Sequence, residues 1–393
     1  MTELPSVQMP TGLPAPDPVA HDHSLRVQAM LLEKIQAAGG YLPFEAWMQA
    51  ALYEPGLGYY SAGSTKLHAG GDFTTAPEIS PLFGQALASQ VTWVLQASHS
   101  LDVLEFGAGS GALAAALLPA LQARGLTVRY QIIELSADLR ARQQQRLAPW
   151  ANQVHWLDQL PDAFAGCVLA NEVLDAMPVS VFRWTGTGQL ETLGVMAAPQ
   201  ANTASPFAWA AQLADDHLRT TVAARLPVLP GYQSEINTQA EAWVRQMGHW
   251  LQRGAAILID YGFPQAEYYH PQRLQGTLMC HFRHHAHDQP LVLPGLQDIT
   301  AHIDFTAMAD AAMAGGLDVL GYTSQARFLM NCGLTELIGT PAQEPADRAR
   351  QHTAINTLVS EAEMGELFKV LAVGRGLDGP LPGFLRGDRR DRL

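Results

Sequence analysis

Residues 101–111 read Leu101-Asp102-Val103-Leu104-Glu105-Phe106-Gly107-Ala108-Gly109-Ser110-Gly111. The apolar run predicts a strand, and three alternating glycines predict a tight turn after it. Lacking Cβ atoms, Gly107, Gly109 and Gly111 let the main chain turn sharply and approach a ligand closely. The Ala- and Leu-rich residues 112–121 then predict a helix whose first N–H groups face that ligand. Strand, glycine turn and helix in this order suit a nucleoside cofactor, and two compete for it. A dinucleotide uses G-x-G-x-x-G/A, which Gly107, Gly109 and Ala112 satisfy. S-adenosylmethionine carries no phosphate, and its ammonium calls for a carboxylate nearby. Glu105 stands two residues before the first glycine.

Working outward, Glu134 closes a second predicted strand, 23 residues after Gly111 (134 − 111). A carboxylate there can accept both ribose hydroxyls of either cofactor; the neighbouring Leu135 is grouped with it as cofactor-binding. Asp158 follows a third strand and is positioned for an adenine amino group, although a turn or a helix cap before Pro161 is an equal reading. A fourth strand runs into Asn171-Glu172-Val173-Leu174-Asp175. If one helical turn separates them, Glu172 and Asp175 share a face. They then stand at the edge of the sheet where α/β ligands bind. A carboxylate pair suits the planar fork of a guanidinium; a helix cap beside a solvent acid is the bland alternative. Glu235 is a weaker candidate, read as opening a helix, with Tyr232 as a pocket wall. His281, His284, His285 and His287 raise the question of a metal. No carboxylate sits at a metalloprotease spacing, so a lid or surface loop is preferred and no metal is assigned.

The 393 residues, 48% hydrophobic, suffice for a large core. A net charge of −13 argues against a nucleic-acid substrate. Cys167, Cys280 and Cys332 lack C-x-x-C spacing, which disfavours disulfides and zinc. No apolar run is long enough for a membrane span. Residues 1–22 read as a disordered tail, neither signal nor transit peptide. Helices are predicted at 24–38 with Ser24 as N-cap, at 43–53 and at 81–98, with a loop at 70–80. Strands follow at 101–106, 128–134, 153–157 and 166–171, then a two-strand excursion at 181–196. Residues 197–230 resist placement. A helix at 236–253 ends at Gly254, and a strand at 255–261 precedes a His-rich insertion. A helix at 304–314 and strands at 317–324 and 367–375, separated by helical residues 325–366, complete the chain. The implied division is a 1–22 tail, a 23–100 helical cap with a cofactor-covering loop, and a 101–262 core with a hairpin excursion near 181–230. A 263–303 insertion, a 304–376 return to the core and a 377–393 flexible tail follow.

The E-x-G-x-G-x-G form resembles motif I of class I methyltransferases. Further segments resemble the MidA-like family, class I relatives that include the complex I assembly-factor protein arginine methyltransferase. They are Gly71-Asp72-Phe73-Thr74-Thr75, Asn171-Glu172-Val173-Leu174-Asp175-Ala176, Asp260-Tyr261-Gly262 and Asp298-Ile299-Thr300-Ala301-His302-Ile303-Asp304-Phe305. With the smaller matches Gly58-Tyr59-Tyr60 and Glu235-Ile236, the resemblance runs from about residue 24 to 376. It implies an α/β fold, a Rossmann-like seven-stranded sheet whose last strand, 368–375, is inserted antiparallel. It implies S-adenosylmethionine as cofactor, with Phe73, Thr74 and Thr75 covering it and Asn171 beside it. It further implies protein arginine N-methylation, Glu172 orienting the guanidinium with Asp175 or Glu235 assisting. Asp298, Thr300 and His302 would line the substrate entrance or brace the insertion. A protein substrate is expected, a respiratory complex I subunit among the possibilities, in a bacterial cytoplasm, with a homodimer allowed. A small-molecule methyltransferase, a non-catalytic cofactor-binding assembly factor and, remotely, a dinucleotide oxidoreductase stay open.

Overall fold

The computed structural model describes residues 4–62, 75–199, 205–338 and 345–393. The chain forms two compact units, each from three stretches. One comprises Thr74–Leu174, Glu241–Pro264 and Ile303–Leu393; the other comprises Met1–Phe73, Asp175–Ala240 and Gln265–His302.

The first unit is built on a mostly parallel sheet. Its strands are β1 (Asp102–Phe106), β2 (Arg129–Ile133), β3 (Val154–Leu157), β4 (Phe164–Asn171), β5 (Leu251–Phe263), β6 (Asp318–Ser324) and β7 (Phe368–Arg375). Their order across the sheet is β3-β2-β1-β4-β5-β7-β6. Strands β1 to β5 are parallel, and β7 runs antiparallel to both β5 and β6. The short strand Ile303–Asp304 pairs with the end of β5. Apolar runs such as Val168-Leu169 and Ile257-Leu258 are buried, as strands covered on both faces require. Helices α1 (Ala76–Ile79), α2 (Pro81–Ser98), α3 (Ala112–Ala123) and α4 (Ala137–Arg146) lie along this unit's first stretch. Ser80 caps α2 by accepting from the Leu82 N–H at 3.2 Å, and Ser136 caps α4 through the Leu139 N–H at 3.4 Å.

Three expectations for this unit change. Strand β5 begins at Leu251, because the preceding helix, Thr238–Trp250, stops at Trp250. Gly254 is therefore a strand glycine, with φ +131° and no room for a Cβ against the Gly166 carbonyl of β4. Within the expected 70–80 loop, residues 76–79 form α1. Residues 377–393, expected as a flexible tail, carry the buried Leu381 and Phe384. Phe384 packs edge-on against Phe328 at 5.4 Å, and the Gly383 N–H donates to Gln90 Oε1 at 2.9 Å.

The second unit holds two antiparallel sheets. In the larger, Leu190–Ala197 lies between Ser180–Trp184 and both Leu42–Pro43 and Phe207–Leu213, and Gln233–Ile236 pairs with Ser180–Trp184. The helices Pro18–Ala37 and Phe44–Tyr53 pack here, in a core that includes Val27, Leu31, Trp47, Phe207 and Ile299. The first helix starts at Pro18 and is capped by Asp17, whose carboxylate accepts from the Ala20 N–H at 2.9 Å. Ser24, expected as the cap, is buried inside that helix and donates to the Pro294 carbonyl. Part of the expected 1–22 tail is thus helical. The unplaced 197–230 stretch contributes the strand Phe207–Leu213 and the helix Asp216–Arg225.

The His-rich insertion, expected as loop, contains the smaller sheet: Met279–Phe282 pairs with His285–His287 and with Asp298–Thr300. Arg283 and His284 form its two-residue turn, both with positive φ (48° and 65°).

Candidate functional site

The glycine turn leaves β1 at the carboxyl edge of the parallel sheet. Gly107, Gly109 and Gly111 have φ of +59°, +55° and +80°, a region open to glycine and costly for other residues. Gly107 is exposed, and a Cβ on it would stand 3.1 Å from Val173 Cγ2. The turn is held by side chains of its neighbours. Ser110 and Arg146 of α4 both bond Glu78 of α1, the Arg146–Glu78 pair at 3.0 Å.

Glu105 is buried on β1 and accepts from the Tyr130 hydroxyl of β2 at 2.7 Å. Burial pushes its carboxyl up to about 7; the Tyr130 bond opposes this and the nearby Glu134 charge adds to it. Glu134, just past β2, accepts the Ser136 N–H on Oε1 and the Gln143 side-chain amide on Oε2, each at 2.9 Å. Burial raises its carboxyl above the usual range, and these two bonds oppose the rise. Gln143, buried on α4, also donates to the Gly109 carbonyl at 2.9 Å and accepts from the Trp156 indole of β3 at 2.9 Å. Leu135 is 85% exposed, an apolar surface beside Glu134. Asp158 is exposed and pairs with Arg140 of α4 at 2.5 Å.

Glu172 follows β4 in a left-handed conformation, φ +54°. Its N–H donates to the Ile259 carbonyl at 2.9 Å, and the Leu174 N–H donates to the buried Asp260 carboxylate at 3.0 Å. Glu172 Oε1 accepts from the Asn171 amide at 2.9 Å and from the Ala76 N–H of α1 at 3.2 Å. Through Val173, this bend adjoins Gly107.

Several expected site residues stand otherwise. Residues 172–177 form bends and turns, so no helical turn puts Glu172 and Asp175 on one face. Asp175 is buried in the second unit, and its carbonyl accepts from the Ala301 N–H at 3.0 Å. Glu235 opens no helix. It lies on the strand Gln233–Ile236, fully buried, accepting from the Thr277 N–H at 3.0 Å, the Leu278 N–H at 3.4 Å and the Thr277 and Tyr268 hydroxyls. Asp298 accepts from Tyr60 at 2.8 Å. The His302 N–H donates to Thr277 Oγ1 at 3.1 Å. Thr75 is the N-cap of α1; Phe73 and Thr74 lie outside the described residues. His281 and His287 are part-buried on neighbouring strands, and burial lowers the His287 ring to about 4. Among the described residues, no three His, Cys, Asp or Glu side chains group to hold a metal, and no helix is long and apolar enough to cross a membrane.

Gln143, Tyr130, Asp260 and the Glu78–Arg146 pair were not anticipated. Asp260 carried a signal, its place in the matched segment Asp260-Tyr261-Gly262. Gln143, inside Gln143-Gln144-Gln145, carried none.

Together these groups fit the nucleoside part of S-adenosylmethionine: an open glycine cradle, an apolar neighbour, and a carboxylate fixed by neighbouring donors with acceptor capacity left over.

Comparisons with known proteins agree with this fit. Across 386 residues the chain is 28% identical to the mitochondrial protein arginine methyltransferase NDUFAF7 of Danio rerio, covering 87% of this chain and 85% of that protein. To the Homo sapiens protein of the same name it is 27% identical over 389 residues, covering 87% and 82%. A Burkholderia thailandensis protein solved bound to S-adenosyl-homocysteine is 47% identical, with a TM-score of 0.91, covering 97% of this chain and 100% of that one. Residues 85–323 match a family model described as "Putative S-adenosyl-L-methionine-dependent methyltransferase", and the chain belongs to that methyltransferase family.

Proposed function

We propose that this protein transfers a methyl group from S-adenosylmethionine to an arginine side chain of a protein substrate. The observation that carries the reading is Glu172. It is a carboxylate on a strained bend at the sheet edge, braced by β5 and adjoining the glycine turn through Val173. The arginine methyltransferase relatives and the neighbour bound to S-adenosyl-homocysteine support it.

When bound, S-adenosylmethionine supplies an activated methyl group on a sulfonium. The chain's part is to hold and orient. Glu134 accepts the two ribose hydroxyls. The turn at Gly107, Gly109 and Gly111 brings main chain against the ligand, and Leu135 offers apolar contact. Asn171 and Thr75 flank the same edge. Glu105 faces the ammonium end and, held by Tyr130, is poised to ionise against it. Asp158, exposed and paired with Arg140, remains a candidate for the adenine amino group. Glu172 orients the substrate guanidinium and localises its charge, so that the attacking nitrogen lines up with the methyl group. Asp175 serves the second unit, where its carbonyl holds the Ala301 N–H. Glu235 acts as a brace, since its oxygens already hold Thr277 and Leu278. The finer reading is a bacterial cytoplasmic enzyme acting on a respiratory complex I subunit.

The test is incubation of the purified chain with S-adenosylmethionine labelled in the methyl group and a cell extract. Label is expected in protein, released on hydrolysis as methylarginine. Label confined to the low-mass fraction would replace this reading with a small-molecule methyltransferase. S-adenosyl-homocysteine binding with no label anywhere would replace it with a non-catalytic role.

A further inference from the structure

We infer that Gln143 is a positioning residue for the cofactor, fixing the Glu134 carboxylate as an acceptor for the ribose diol and locking it to the glycine turn. The inference rests on the proposed cofactor.

Gln143 is buried at mid-helix in α4, among half-buried and exposed polar residues of the same helix. A buried amide is costly unless its hydrogen-bonding capacity is used. Here one amide proton goes to Glu134 Oε2 and the other to the Gly109 carbonyl, while the amide oxygen takes the Trp156 indole proton. The three partners come from three places: the end of β2, the turn after β1, and β3. One side chain therefore registers the diol acceptor against the turn.

The geometry at Glu134 follows from counting lone pairs. A carboxylate has about four acceptor positions. Ser136 occupies one on Oε1 and Gln143 one on Oε2, and the Leu135 N–H also bonds the carboxylate. Acceptor capacity is left for a ribose hydroxyl, and the three donors fix the direction in which it points. Without the Gln143 bond, Oε2 is free to rotate out of register.

Gln143 also acts on ionisation. Its amide favours the charged form of Glu134, against a burial that disfavours it. Among the described residues, β1 presents the titratable Glu105, whose carboxyl the Glu134 charge pushes up. Strand β3 presents Trp156 and α4 presents Gln143, neither ionisable. Removing the amide raises the Glu134 pKa. A diol binds the ionised form, so binding is then lost at a higher pH as pH falls.

The probe is methylthioadenosine, which keeps the ribose diol and lacks the ammonium, so that Glu105 is not engaged directly. Its affinity is measured by calorimetry from pH 5 to 8. Gln143→Met should bind about tenfold more weakly at pH 8, with its acid midpoint moved upward. Gln143→Lys restores a donor and adds a positive charge, so its midpoint should move downward. Trp156→Phe removes only the bond that orients the amide, and should shift the midpoint in the same direction as Gln143→Met, by less. Thermal melting identifies any variant that has not folded. If Gln143→Met and Trp156→Phe fold and leave the midpoint where the wild type has it, the inference is overturned. Failure of the wild type to bind either methylthioadenosine or S-adenosyl-homocysteine would instead overturn the proposed cofactor.

Discussion

Glu172 holds its side chain on a backbone that a residue with a Cβ adopts at a cost of about 1–2 kcal/mol. Such strain persists only where neighbours over-determine it. Here Ile259 and Asp260 of β5 grip the residues on either side of the bend. Glu172→Gln keeps an acceptor for the Ala76 N–H and nearly the same volume, and loses only the charge. Methyl transfer should fall by about 100-fold, with S-adenosyl-homocysteine affinity within about threefold of wild type, a margin of less than 1 kcal/mol. Steady-state kinetics and calorimetry decide it; an unchanged kcat removes Glu172 from the reaction. The bend itself could be anticipated, because an acid after a buried strand has few structural uses. The partners could not. Gln143 sits among other glutamines, and its burial depends on how α4 lies over the turn. Glu235 was a candidate because the segment Glu235-Ile236 matches the MidA-like family. Main-chain N–H groups of Thr277 and Leu278, distant in sequence, explain its burial instead.

The turn Arg283–His284 shows what a pair of residues can and cannot reveal about an element. The register pairs Phe282 with His285, so only these two residues close the hairpin, and both need positive φ. Asn-Gly would have announced it; Arg-His did not, and the segment read as loop. The exposed His284 should therefore respond to substitution in opposite directions. His284→Gly relieves the strained φ and should stabilise the protein by up to about 1 kcal/mol. His284→Val, β-branched, should destabilise it. Thermal melting of the two variants measures this, and equal melting temperatures would refute the turn. The parallel strands were legible for the opposite reason. Burial on both faces demands uninterrupted Val, Ile and Leu, a pattern visible without knowing the neighbours. The Phe207–Leu213 strand alternates Ala with larger residues in an Ala-rich context, too weak a period to separate from a helix.

At the scale of the whole molecule, the resemblance over residues 24–376 anticipated a seven-stranded sheet with an antiparallel last strand, β7. It said nothing of the last residues. Because Leu381 and Phe384 are buried and Gly383 bonds Gln90, ending the chain at Gly376 should lower the unfolding free energy by about 3–6 kcal/mol, from two lost apolar side chains. Urea denaturation of the shortened chain tests this; an unchanged midpoint would return 377–393 to the status of a tail. Strand order also has a consequence in time. β5 ends at Phe263, but β7, which fills the gap between it and β6, begins at Phe368, 105 residues later (368 − 263). At 5–20 residues per second a ribosome needs about 5–20 s to cross that interval. Throughout it, one long edge of β5, rich in Ile, Leu and Ala, has no neighbouring strand and is open to pairing with any other nascent chain. The strand that completes the sheet is also the one that ends this exposure, so synthesis speed between residues 263 and 368 should matter to the yield of folded protein.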